Sequence, residues 1–356
     1  MLKTHNDTTV DEKEMKHFEK YADQWWDKNG KYNVLHEINP LRLKYIKDAI
    51  ISHFSLLDGL KPFECKNKTI HTYSKDERYQ DTNYDQYDRL EINSLNESKE
   101  QNNASNDRNE ERNDDDSNTL PPPSTPPISL TRIKILDVGC GGGLLSLPLA
   151  NLGANVLGID SNESNIEAAI CYASKYKIQN LDYQHSSIED LVKKIKNCNI
   201  NDDYSDDVNR DLENESDGMK VIIDEAKKYD VIVAFEVLEH VANLDLFISS
   251  CIELLRDGGL ILFSTINRNL KAYILAILAA ENVLGWIPKG THSYNKLIQP
   301  SEIESLLRKH QFKIAHMSGL TCKFKGLWPK FQNPCKLQWE ISDDISVNYM
   351  MKIHAI

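Results

Sequence analysis

The sequence predicts an α/β fold, with a mostly parallel sheet, helices on both faces and one closing strand antiparallel to the rest. Three observations predict it. From about residue 131, strand-like and helix-like runs alternate. The run "LDVGCGGG", Leu136 to Gly143, places five small residues directly after an apolar strand and an aspartate, where something must approach the backbone closely. The chain then ends in two strand-like runs joined by little but loop, the pattern of a closing hairpin.

The elements follow in order. Residues 12–57 read as helical, the first stretch ending at Gly30, a plausible C-terminal stop. A second helix begins with Asn39 as N-cap and Pro40 at its first position. Leu43, Ile46, Ile50 and Phe54 then recur at helical spacing. This N-terminal helical segment, 12–61, belongs with the catalytic domain, 131–356. Between them, 62–130 is poor in apolar residues and reads as a disordered insert, because it cannot bury enough surface to offset chain entropy. A second polar insert spans about 196–218. Strands are expected at 133–139, 155–160, 181–187, 229–237, 258–266, 313–322 and 346–355, seven in all, with helices between them. Gly153 closes the helix that follows the glycine loop.

Composition excludes several classes. The formal net charge of -12 opposes a general nucleic-acid binder, so no nucleic-acid partner is expected. Seven cysteines without a Cys-x-x-Cys pair point away from a disulfide framework or structural zinc and toward a reducing compartment. No apolar run is long enough to span a bilayer, and the N-terminus reads as neither a secretory signal nor a good transit peptide.

The glycines narrow the chemistry. A dinucleotide fingerprint would put its third glycine at Leu144 or Ser146, and neither fits. A phosphate-binding loop would need Gly-Lys-Ser/Thr, which is missing. What does fit is D-x-G-x-G-x-G, formed by Asp137, Gly139, Gly141 and Gly143. This resembles the Rossmann-like, S-adenosylmethionine-dependent methyltransferases. In such a site Asp137 faces the cationic ammonium of the cofactor. Asp160, at the end of the next strand, accepts the two ribose hydroxyls, although "DSNES" is also good helix-capping sequence. Cys140 has no evident base beside it and reads as a small packing residue.

Beyond that loop, "FEKYADQWWDKNGKYNVLHEINPLRLKYI", "AFEVLEHV", "FSTINRNLKAYILAILAAENVLGWIPKGTH" and "VNYMMKI" resemble the ubiquinone-biosynthesis O-methyltransferases over nearly the whole chain apart from the inserts. The resemblance implies a seven-stranded methyltransferase sheet and methylation of a phenolic hydroxyl on a polyprenylated phenolic or quinol ring. It implies cofactor contacts at Arg42, Gly139, Asp160 and Phe235, where many relatives look to carry methionine at the last position. Composition alone would make Arg42 a surface arginine. The resemblance also implies a peripheral protein on the matrix face of the mitochondrial inner membrane, within a multi-enzyme complex.

A phenol ionises near pH 10, so a base or a metal must favour the phenolate. Glu236, Glu239 and His240, at i, i+3 and i+4, offer either. In the family this set is associated with a divalent metal, usually magnesium, although magnesium prefers oxygen ligands. The alternative is that Glu236 and His240 are catalytic groups lining the acceptor pocket. The apolar run Ala272 to Ala280, flanked by Lys271 and Lys289, is either an interfacial helix that receives the polyprenyl tail or a buried cap. A different methyltransferase, a scaffold keeping the fold, and a nicotinamide dehydrogenase are the competing classes; the intact motif and the glycine spacing oppose the last two.

Overall fold

The computed structural model describes residues 8–57, 130–203, 225–275, 293–324 and 337–356. The strands are β1 (Lys134–Val138), β2 (Asn155–Asp160), β3 (Leu181–His185), β4 (Tyr229–Phe235), β5 (Leu255–Ile266), β6 (Phe312–Phe324), β7 (Leu337–Ser342) and β8 (Asn348–Ala355). They form one sheet in the order β3-β2-β1-β4-β5-β8-β6-β7. The first five are parallel, and β8 enters antiparallel between β5 and β6. The order steps outward from β1 in both directions, so the strand ends around β1 and β4 form the switch point where such sheets bind ligands.

Among the described residues the sheet therefore has eight strands, one more than the sequence predicts. The addition is β7, which among the described residues pairs with β6 alone, from Gly319↔Ser342 to Phe324↔Leu337. Its sequence, LQWEIS, alternates apolar and polar residues, as a half-buried edge strand should.

The helices are α1 (Glu12–Glu19), α2 (Asn33–Leu57), α3 (Ser146–Asn151), α4 (Glu163–Ala173), α5 (Ile188–Asp203), α6 (Leu244–Leu254) and α7 (Pro300–Lys309). Asp11 caps α1 by accepting from the amides of Lys13 and Glu14. This helix stops at Glu19 rather than Gly30, and a 3-10 turn at Ala22–Gln24 leads into Trp25 and Trp26. Nor does α2 begin at Pro40. It starts at Asn33 and carries Pro40 inside it, with the loss of the one bond that a proline nitrogen cannot donate. Asn39 is thus no cap: its fully buried side chain donates instead to the Leu144 carbonyl, 2.7 Å away.

The insert boundaries also move. Leu130 is buried and donates to the Leu152 carbonyl, so it belongs to the domain. At the second insert, α5 continues through residues 196–203, because extending a helix costs far less than starting one. The remainder of both inserts, 62–129 and 204–218, lies outside the described residues, as do 58–61, 219–224 and 276–292 with Ile277, Leu278 and Lys289.

The core is built on the central strands. Every residue of β4 is buried, and Leu136, Ile232, Ile261, Phe263, Met351 and Ile353 are fully enclosed with Phe247 and Leu254 of α6. Near-continuous apolar runs such as Val231 to Phe235 are what a sheet covered on both faces requires. Among the described residues, no helix is long and apolar enough to cross a membrane.

Candidate cofactor cleft and active site

The loop after β1 is held from below by β2: the amides of Gly139 and Cys140 both donate to the Ile159 carbonyl, at 2.8 and 3.0 Å. Gly139 and Gly141 have φ of 68° and 54°, a region that favours glycine. A Cβ on Gly139 would lie 2.5 Å from Val237 Cγ2, and one on Gly141 would lie 2.4 Å from the Trp25 ring. Close approach to the loop is thus made in part by the chain's own side chains. Trp25 and Trp26 then pin the loop, with Trp25 Nε1 donating to Asn165 Oδ1 and Trp26 Nε1 to the Gly142 carbonyl, each at 2.8 Å. Burial pushes the Cys140 thiol well above its ordinary value, in keeping with a packing role.

Asp160 stands where the sequence places it. Its Oδ2 accepts from the Gly141 amide at 2.9 Å and its Oδ1 from the Asn162 amide at 2.8 Å. Asn162, not Asp160, caps α4, accepting from the Ser164 amide at 3.0 Å. Of the two readings left open for Asp160, the helix cap is therefore removed. Its carboxylate lines a cleft together with Gly139, Gly141, Ser187, Glu236 and His240. Burial pushes this carboxyl upward, opposed by the hydrogen bonds it accepts. Asn165 Nδ2 also donates to Oδ1, at 3.3 Å; two carboxylate oxygens offer about four acceptor positions, so Asp160 can hold the loop and still take a ribose hydroxyl.

Arg42, Asp137, Gly143 and Phe235 are not among the residues that line this cleft; they are packed behind it. Arg42, which composition alone would put on the surface, is 4% exposed, with its guanidinium carbon 5.4 Å from the centre of the Phe235 ring. Its Nε and the hydroxyl of Tyr45, one helical turn on, are buried and find no hydrogen-bond partner among the described residues. Burial pulls the Arg42 guanidinium down, and Glu236, Asp137 and Glu239 oppose that. Asp137 is 2% exposed and its carboxyl is pushed up to about 6, chiefly by burial, although Ser146 Oγ donates to it at 2.5 Å. A buried cationic group with an orphaned donor, beside a carboxylate that burial disfavours, fits the two ends of an amino-acid zwitterion. That is the chemistry of the methionine end of S-adenosylmethionine.

The Glu-x-x-Glu-His set does not converge. Glu236 takes a left-handed backbone, φ 57°, unusual for a non-glycine residue and concentrated at functional sites. Its Oε1 accepts from Ser264 Oγ at 2.5 Å. Glu239 is 2% exposed and turns inward, where its Oε2 accepts from Thr265 Oγ1 at 2.7 Å. His240 turns toward α1, with its Nδ1 3.0 Å from Glu14 Oε2. Each of the three has its own partner, Glu236 and Glu239 on neighbouring residues of β5 and His240 on α1. Among the described residues no group of three or more His, Cys, Asp or Glu is placed to hold a metal ion, so the three do not fit the magnesium site expected of them.

Several residues of the site escaped the sequence reading. Glu14 and Asp11 both pair with Lys296, at 2.6 and 2.7 Å. Burial raises the Glu14 carboxyl, but hydrogen bonds from His240 and Lys296 outweigh it and hold the group below its ordinary value. Thr9 donates through its amide and its hydroxyl to Glu189, at 2.9 and 2.6 Å, securing the segment before α1. Asp11 and Glu14 lie one turn apart, a signal of a shared face but not of a partner. Outside the cleft lining, Leu270, Ile274 and Leu275 are exposed, while Lys271 pairs with Asp344 at 2.8 Å.

A family model described as a methyltransferase domain matches residues 102–317. A protein of Rickettsia conorii named ubiquinone biosynthesis O-methyltransferase is 33% identical over 345 residues, 97% of this chain and 96% of that one. One of the same name from Sinorhizobium medicae is 32% identical over 97% of this chain and 95% of its own. Among solved structures, magnesium protoporphyrin IX methyltransferase from Synechocystis PCC 6803 is 19% identical, covering 63% of this chain and 74% of that one at a TM-score of 0.38.

Proposed function

This chain belongs to the ubiquinone-biosynthesis O-methyltransferase family, and we propose from that premise that it methylates a phenolic hydroxyl of a polyprenylated ring intermediate. It is an S-adenosylmethionine-dependent O-methyltransferase. The observation that carries the finer reading is the cleft itself, where Asp160 lies against the glycine loop and Glu236 and His240 share its wall.

Bound there, S-adenosylmethionine supplies a methyl group activated by a sulfonium. Asp160 accepts a ribose hydroxyl, and Arg42 and Asp137, packed behind the cleft wall, supply opposite charges toward the methionine end. Trp25 and Val237 close over the loop and help to exclude water. Positioning of the phenol oxygen against the methyl carbon supplies several kcal/mol of barrier reduction, roughly the range of oriented intramolecular reactions. His240, on the cleft wall, accepts the phenolic proton. No step is routed through a metal, because Glu236, Glu239 and His240 are turned to separate partners.

With a polyprenyl tail on the substrate, the reaction in this reading runs at a lipid surface, which in a mitochondrion would be the matrix face of the inner membrane. Exposed Leu270, Ile274 and Leu275 support contact there, since each buried side chain of this kind contributes roughly 1.5–3 kcal/mol. The test is methyl transfer from labelled S-adenosylmethionine to a long-tailed prenyl catechol presented in cardiolipin-containing vesicles, compared with a short soluble catechol. Replacing Ile274 and Leu275 with Asp should reduce turnover of the long-tailed substrate much more than that of the short one. Equal losses on both would reject the lipid contact, and no transfer to either by the unaltered chain would reject the substrate class.

A further inference from the structure

We propose that Trp25 and Asn165 are positioning residues of the cofactor site, acting in series to hold the Asp160 carboxylate toward a ribose hydroxyl. The proposal rests on the reading of Asp160 as the ribose acceptor and deepens it. Trp25, Asn165 and Asp160 all line the cleft. Trp25 Nε1 donates to Asn165 Oδ1 at 2.8 Å, and Asn165 Nδ2 donates to Asp160 Oδ1 at 3.3 Å. An indole N–H only donates, and an ionised carboxylate only accepts. With its oxygen taken by the indole, the amide turns its NH2 toward Asp160. Trp25 thus decides which end of Asn165 the carboxylate meets. Without the indole, the amide is free to rotate and set an oxygen beside an oxygen.

Each member is fixed in place. Asn165 lies in the first turn of α4, just after the Asn162 cap, and is 4% exposed. The Trp25 ring stacks on buried Tyr32, with ring centres 3.9 Å apart and planes within 4°. The indole also packs on the glycine loop, and the Gly141 amide of that loop donates to Asp160 Oδ2. Asn162 reaches through its Nδ2 to the Met15 carbonyl at 3.1 Å, so the N-terminal segment meets the start of α4 at two points. Trp25 is 140 positions from Asn165 in sequence, so only the folded chain assembles the pair.

The consequence falls on the carboxylate. Burial disfavours its charge, and Asn165 joins the Asn162 and Gly141 amides as a donor that opposes this. A ribose hydroxyl binds best to an acceptor that is both ionised and aimed. Breaking the relay leaves the two amide donors in place but releases one side of the carboxylate. The loss is therefore confined to the part of the cofactor that carries the hydroxyls.

The experiment measures calorimetric dissociation constants for S-adenosylhomocysteine and its 2′,3′-dideoxy analogue, with thermal midpoints, in the unaltered chain, Trp25→Phe, Asn165→Leu and the Trp25→Phe/Asn165→Leu pair. The unaltered chain should prefer the hydroxylated ligand by about 10- to 100-fold. Each single variant should bind S-adenosylhomocysteine about 3- to 10-fold more weakly, the worth of one ordinary hydrogen bond, and the dideoxy analogue within about twofold. The pair should bind no more weakly than Asn165→Leu alone, because the two act through one contact. Trp25→Phe keeps an aromatic face for Tyr32, and Asn165→Leu keeps the side-chain volume. Comparing two ligands on one variant also separates the relay from any general loss of stability. Equal losses on both ligands, unchanged affinities in the single variants, or losses that multiply in the pair would overturn the proposal while leaving Asp160 as the ribose acceptor. An unaltered chain with no preference for the hydroxylated ligand would overturn both.

Discussion

Replacing Asp137 with Asn should stabilise the protein, and only above mildly acidic pH. The carboxyl is 2% exposed and pushed up to about 6 by burial, against an ordinary 3.8. A shift of about two units corresponds to about 3 kcal/mol between the protonation states. The folded-state pKa is raised, so the stability tied to protonated Asp137 is complete below about pH 4 and lost as pH rises through 6. Above that, the ionised group costs the folded state about 3 kcal/mol relative to a neutral one. The amide of the Asp137→Asn variant would carry no charge at any pH, and its oxygen can still accept from Ser146 Oγ. Arg42 would keep Glu236 and Glu239 as charged neighbours. The assay is thermal and urea unfolding of Asp137→Asn without cofactor at pH 5.0 and pH 7.5. The variant should melt roughly 6–12 °C higher at pH 7.5, at about 2–4 °C per kcal/mol for a domain of this size. At pH 5.0 the gap should shrink to about half, because only half the interval between the two pKa values has been crossed. A smaller midpoint rise on adding S-adenosylhomocysteine should accompany it, since the variant has less burial cost for a cation to relieve. A variant less stable than the unaltered chain at both pH values, or a gap that ignores pH, would refute the reasoning.

Three further outcomes follow from the site. Asp160→Ala should weaken S-adenosylhomocysteine by about 10- to 100-fold, from the loss of charge-assisted hydrogen bonds worth about 1.5–3 kcal/mol each, and Asp160→Asn by less; calorimetric titration of the folded variants decides. Gly139→Ala should lower the unfolding free energy by about 2–4 kcal/mol, through a left-handed alanine and the collision with Val237, as read by urea denaturation. Chelators should leave methyl transfer within about twofold of the untreated rate, because Glu236, Glu239 and His240 each have a protein partner; a tenfold loss restored by magnesium would show that the side chains regroup around an ion.

Much of the parallel core was legible because its signals are local. β2 falls on the six residues that the alternation marks, and buried β4 reads as an apolar run, Val231 to Phe235, behind Tyr229 and Asp230. The D-x-G-x-G-x-G spacing and Asp160 were likewise readable, since loop and acid follow one another within a single strand–helix–strand unit. The start of α2 was misplaced because Asn39–Pro40 carries a strong helix-start signal locally, yet Asn39 finds a better partner in the Leu144 carbonyl, 105 positions away. β7 carries a full six-residue alternation that short length and its position at the sheet edge made easy to pass over. The i, i+3, i+4 spacing of Glu236, Glu239 and His240 implies a shared mouth only if the backbone continues regularly. Glu236 adopts a left-handed conformation instead, and the two residues after it in the set turn toward different elements.

By itself, the sequence determined the class of fold, the glycine loop, the acid at the end of β2 and the family, because each depends on residues close together in the chain or on their order. Tertiary structure alone decided that Arg42 is buried over Phe235, that Glu239 faces Thr265, and that Glu14 meets His240. The physical reason is that burial and hydrogen-bond partnership are set by what the rest of the chain brings alongside. Periodicity and spacing say which face a residue shares, and packing then chooses the partner that satisfies its charge.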